Sequence, residues 1–222
     1  MTVTEASTLL SRYAGANNTF LERLNLVRAR LISQGNWPDL LRVVELTVTT
    51  DASTGFSVVA LSSTYSTILA GGYMASDATD HTFVGRPMGV RNLYDAWNKN
   101  GWGYGNSPHD FQELGPDGTG TKRYRVPTCT DDGYIYVALL KIAYVALTAG
   151  GDTVTPNNVG ALKAGLQALL AEDADNRGLS RDLWAEAMAL LAEQSENETG
   201  AGASGVVEIR DDLDLCQIGS GL

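Results

Sequence analysis

Few residues in this chain could carry acid–base or metal chemistry. The two histidines, His81 and His109, and the two cysteines, Cys129 and Cys216, share no metal-ligand spacing. Neither histidine lies in an HExxH frame, so proton transfer would fall to carboxylates. Asp77 and Asp80 stand beside His81, while Asp110 and Glu113 flank a short extended run. Glycoside hydrolysis needs two carboxyls facing each other across one substrate, and proximity in sequence supplies no such geometry. In Gly-rich surroundings aspartates of this kind cap turns. No catalytic, cofactor-binding or metal-binding residue is therefore assigned, and the chain reads as a non-enzyme without a cofactor.

Two Gly-rich stretches imitate nucleotide-binding loops. In GPDGTGTK, residues 115–122, Lys122 does not directly follow Gly120, no Ser or Thr follows the lysine, and a strand-like segment comes next. GWGYG, residues 101–105, lacks the flanking strand and helix of a dinucleotide fingerprint. The aromatics Tyr73, Tyr94, Trp97, Trp102 and Tyr104 could stack on sugars, bases or another protein. They keep open an alternative in which the chain is a carbohydrate-binding or hydrolytic module.

The net charge of −10 is unevenly placed. Residues 1–127 hold 11 acidic and 11 basic side chains, and residues 128–222 hold 15 acidic and 5 basic, so the second part carries all of it (5 − 15 = −10). Such a surface repels phosphate and argues against tight nucleic-acid binding, which weakens a second alternative, a DNA-packaging accessory protein. With 44% hydrophobic residues, 222 residues can build a core without disulfides. The cysteine usage fits a reducing compartment, and the first residues lack the pattern of a secretory signal.

The elements that must position these residues follow from periodicity. Residues 4–13 form a short amphipathic helix. In the next helix, 18–35, Asn17 or Asn18 is the cap and Phe20, Leu21, Leu24, Val27 and Leu31 share a face, with Glu22, Arg23, Arg28 and Arg30 on the remainder and Gly35 as the stop. Residues 40–50 and 56–69 read as strands, antiparallel because the link is short, and Phe111 to Leu114 with Lys122 to Val126 as a hairpin. Val90, Leu93, Tyr94 and Trp97 suggest one short helix among loops. Residues 131–149 carry one charge after Gly133, Lys141, and are expected to form a buried helix. As a membrane span the segment is short, and Lys141 near the bilayer centre would cost about 2.5–3.5 kcal/mol. Thr155 and Pro156 start a helix over 156–173, and Ser180 caps another over 180–194.

The expected fold is thus α+β, mainly α. A helical bundle around the central apolar helix carries a β-rich insertion and an extended C-terminal tail. The expected divisions are 1–39, N-terminal helices of the bundle; 40–127, the β-rich insertion with long aromatic loops; 128–198, C-terminal helices; and 199–222, linker and tail. In the tail, Val207, Ile209, Leu213, Leu215 and Ile218 form an apolar series behind a Gly- and Ser-rich linker and are expected to bind a partner.

Three features together resemble the head-to-tail adaptor (tail tubular protein A-like, connector) proteins of tailed bacteriophages. They are LNLVRARLISQGNW, the GTKRYRVP arm, and above all TPNNVGALKAGLQALLAEDADNRGLSRDLWAEAMALLAEQ at residues 155–194. The likeness covers residues 18–50 and 122–194; residues 71–108 and the acidic tail depart from it. It implies a structural, non-enzymatic ring of twelve copies between portal and tail or nozzle proteins. Genomic DNA would pass through without sequence-specific binding. The resemblance places the protein in the virion neck, made in the host cytoplasm, with no membrane partner.

Overall fold

The computed structural model describes residues 1–15, 19–51, 56–75, 88–91, 111–126 and 134–199. Its helices are α1 (Val3–Leu10), α2 (Phe20–Gln34), α3 (Val159–Asp173) and α4 (Arg177–Thr199). The strands are β1 (Leu41–Leu46), β2 (Val48–Thr50), β3 (Ser57–Ala60), β4 (Tyr65–Ala75), β5 (Val90–Arg91), β6 (Phe111–Pro116), β7 (Lys122–Arg125) and β8 (Tyr134–Ile142).

The expected bundle around a central helix is overturned by β8. Its Tyr136, Val137, Ala138 and Leu140 are buried, but in the middle strand of a sheet ordered β1-β8-β4, antiparallel to both neighbours. A continuous apolar run suits a strand covered on both faces as well as it suits a buried helix, and periodicity alone cannot separate the two. The aromatic and β-branched start, Tyr134 to Val137, favours the extended form. The remainder of the expected helix, 143–149, is irregular, with Tyr144 and Val145 exposed.

A second sheet has the order β2-β3-β7-β6-β5, antiparallel except for the parallel pair β5–β6. The short-link hairpin joins β2 to β3, whereas β1 pairs with β8, far along the chain. Asp117 closes the β6–β7 turn, its Oδ1 accepting from Thr119 N (2.8 Å) and Thr121 N (2.9 Å), so the Gly-rich 115–122 stretch is a hairpin tip. One apolar cluster binds the two sheets through Val59, Ile68, Phe111, Tyr124, Tyr136 and Leu140. Phe111 meets Tyr136 edge-on with centroids 6.4 Å apart. Gly71 sits at this crossing, where a Cβ would lie 2.6 Å from Val137 O and 2.7 Å from Phe111.

A separate cluster gathers the helices, with Leu10, Leu24, Val27, Leu31, Leu162, Leu166, Trp184 and Leu191 inside. The caps differ in detail from those expected. Thr19 rather than an asparagine caps α2, in a capping box with Glu22. Asn158 rather than Thr155 caps α3, and Asn176 Oδ1 accepts from Leu179 N at the start of α4, leaving Ser180 inside that helix. Among the described residues no helix is long and apolar enough to cross a membrane.

Gly165 lets α2 approach α3 closely, since a Cβ there would come within 2.5 Å of Val27 Cγ1. In an exposed helix Gly→Ala stabilises by about 1 kcal/mol. Here Gly165→Ala should instead lower stability by about 1–3 kcal/mol through overpacking, read from denaturant unfolding.

Candidate docking surface

The segment from Ala143 to Asn158 leaves the sheets and enters the helices, and it is held in place by α2. Asn25 accepts from Leu147 N (2.9 Å) and donates to Leu147 O (3.0 Å), satisfying both backbone groups of one residue. Arg28 reaches the same segment at two further points, Nε donating to Thr155 O (2.9 Å) and Nη1 to Val145 O (3.1 Å). Its guanidinium lies 5.7 Å from the Tyr144 ring centroid, and Tyr144 Oη donates to Asn25 O (3.3 Å). Only 4% of Arg28 is exposed, and this desolvation lowers its pKa, opposed by the Tyr144 and Asp152 charges. Arg23 and Arg28, expected on the solvent side of their helix, are both buried. The available signal was their spacing: each flanks the apolar stripe at i±4 from Val27 or Leu24.

Asp152 completes the joint by accepting from Thr148 N (2.7 Å) and Ala149 N (2.9 Å), and these backbone donors lower its pKa. The same loop receives the N-terminus, because Val3 N donates to Asp152 O and Thr4 N to Gly150 O. At the far end of the helices Glu172 Oε1 gathers Trp184 Nε1 (2.9 Å), Ser180 Oγ (3.0 Å) and Arg30 Nη1 (2.8 Å). The Trp184 hydrogen bond leads the lowering of the Glu172 pKa, with Ser180 and Arg30 adding to it against desolvation. Arg30 stacks over Trp184 at 4.2 Å, and Arg23 pairs with Asp173.

On this frame three surfaces remain open. Arg177, Arg181, Asp182, Glu186, Glu193 and Glu196 are exposed on α4, the last four at helical spacing along one acidic face. Leu26 (57% exposed), Tyr144 and Val145 (65%) lie around the Asn25 joint. Val43, 62% exposed, lies on β1, an outer strand of its sheet.

Of the residues singled out earlier for chemistry, Tyr73, on β4, and Glu113 fall among the described residues. Glu113 is half-buried on β6, opposite Tyr124 of β7. Asp77, Asp80, His81, His109, Asp110, Cys129, Cys216, Leu93, Tyr94, Trp97, Trp102 and Tyr104 lie outside the described residues, as do Val207, Ile209, Leu213, Leu215 and Ile218. Among the described residues no three of His, Cys, Asp and Glu gather as a metal site. The chain matches no family model and no curated protein.

Removing Arg28 strands the Thr155 and Val145 carbonyls. Arg28→Met should cost about 2–4 kcal/mol in denaturant unfolding, and Arg28→Lys should recover only part of it because an ammonium lacks the planar fork. Glu172, with its folded pKa below the unfolded value, contributes stability that is present above the unfolded value and lost as pH falls through the folded one. Glu172→Gln should therefore lower the melting temperature near neutral pH yet reduce its fall between about pH 6 and about pH 3.

Proposed function

We propose that this protein is a virion structural protein, a head-to-tail adaptor whose copies form a ring between portal and tail or nozzle proteins and line the DNA channel. The observation that carries the reading is the acidic face of α4, on which Asp182, Glu186, Glu193 and Glu196 are exposed. A wall of like charge keeps passing DNA from adhering. The helix pair α3–α4 is also the segment, 155–194, in which the adaptor resemblance is most specific. In this reading the twelve-copy ring is assembled in the virion neck from subunits made in the host cytoplasm, the role is structural rather than enzymatic, and DNA passes without sequence-specific contacts. Val207, Ile209, Leu213, Leu215 and Ile218 of the tail bind a neighbouring subunit or another virion protein.

Native mass measurement of the purified full chain tests this directly. A ring of many copies, alone or on addition of a portal, is the expected result; a stable monomer that cleaves polysaccharide overturns it. Glu186→Lys with Glu193→Lys should raise affinity for duplex DNA by about tenfold or more at low salt, an effect that fades as salt rises. Fluorescence anisotropy against a labelled duplex reads this, and unchanged binding would remove the electrostatic argument.

A further inference from the structure

β1 has β8 on one side and, among the described residues, no strand on the other. The chain continues into β2, which is likewise an outer strand, so the run 41–50 supplies an edge strand to each sheet. Arg42, Val43, Glu45, Thr49 and Thr50 are exposed on it. Edges are protected by proline, bulges or charged side chains; LRVVEL carries Arg42 and Glu45 but has no proline, and its register against β8 runs without a shift. Arg42 Nη1 donates only to the Asp39 and Leu41 carbonyls, and among the described residues no carboxylate pairs with it.

One segment of the same protein has the matching pattern. In VVEIRDDLDLC, residues 206–216, a period of two sets Val207, Ile209, Leu213 and Leu215 on one side, interrupted by Asp211, and Glu208, Arg210, Asp212 and Asp214 on the other, a mainly apolar side and a net acidic one. The place where the tail departs is close to a rim. Asn158 Nδ2 donates to Leu190 O (3.2 Å) and Gln194 Oε1 (2.9 Å), which puts these two residues of α4 beside Asn158, next in the chain to Asn157. Asn157 N in turn donates to Asp39 Oδ2 (2.8 Å), two residues before Leu41. The linker GAGASG, residues 200–205, spans at most about 20 Å. A strand arriving at the Leu41 end of β1 could pair there only in parallel. Antiparallel pairing there would first consume the whole linker, because β1 is itself about 20 Å long. A second copy's rim carries no such restriction, and the β1-β8-β4 sheet it would extend is antiparallel throughout.

We infer that residues 206–216 of one copy add as an antiparallel strand to the β1 rim of a second copy. Backbone hydrogen bonds supply the attachment, the apolar side covers Val43, and the acidic side chains approach Arg42. The inference rests on the proposed ring, which sets copies side by side.

The test uses full-length chains in which Cys129→Ser and Cys216→Ser remove the native thiols. One chain carries Val43→Cys and the other Ile209→Cys. They are mixed and treated with a short bis-maleimide that tolerates a slip of one residue pair. The expected product is a covalent dimer with one chain of each kind, several-fold above either chain treated alone; Glu45→Cys replaces Val43→Cys if the latter unfolds. A chain carrying both substitutions that cross-links only within itself overturns the inference. So does the absence of cross-linking in protein that native mass measurement shows to be oligomeric, a result that leaves the ring reading intact. A chain that stays monomeric with a portal added, and does not cross-link, overturns both.

Discussion

The buried guanidinium of Arg28 holds together two parts of the molecule that share no apolar core. The sheets pack through one cluster and the helices through another. The irregular segment between β8 and α3 buries Leu147 and Val154 among the helices and is hydrogen-bonded both by α2 and by the N-terminal residues. Burying the Arg28 charge costs several kcal/mol, and charge-assisted hydrogen bonds to two carbonyls, at about 1.5–3 kcal/mol each, offset much of that cost. The result is a fixed path for the chain rather than a large net gain in stability. Asn25 and Asp152 hold neighbouring residues of that path, and the N-terminal helix is attached to it in turn.

The opposite end of the helical layer is ordered by similar means. Glu172, in the last turn of α3, satisfies an indole, a hydroxyl and a guanidinium at one oxygen, so α3, α4 and α2 are tied at one point. With both ends fixed and Gly165 allowing close approach between them, the helices leave their acidic side to solvent. The sheets leave a rim. The acidic face and the open edge belong to separately packed units.

The acidic face and the rim also place different demands on a partner. Repulsion between carboxylates and phosphate is long-ranged, salt-dependent and insensitive to exact geometry. Strand addition is short-ranged and depends on register, because a slip of one residue sends every side chain to the wrong face. A channel wall needs the former property and a joint between subunits the latter. Val43 is exposed on the part of the molecule that would serve as the joint.

Local period and turn residues were enough to place the helices expected at 18–35, 156–173 and 180–194, observed at 20–34, 159–173 and 177–199, and the β6–β7 hairpin, but not their caps. They were not enough for residues 134–142, where an unbroken apolar run is equally compatible with a buried helix and a buried strand. Pairing with β1 and β4, remote in sequence, decided between them. The acidic excess and its concentration beyond residue 128 were likewise legible in composition. Which carboxylates share one free face of α4 was not, nor was the burial of Arg23 and Arg28. Those depend on how deeply neighbouring elements cover a helix, and coverage is a property of packing that no single segment encodes.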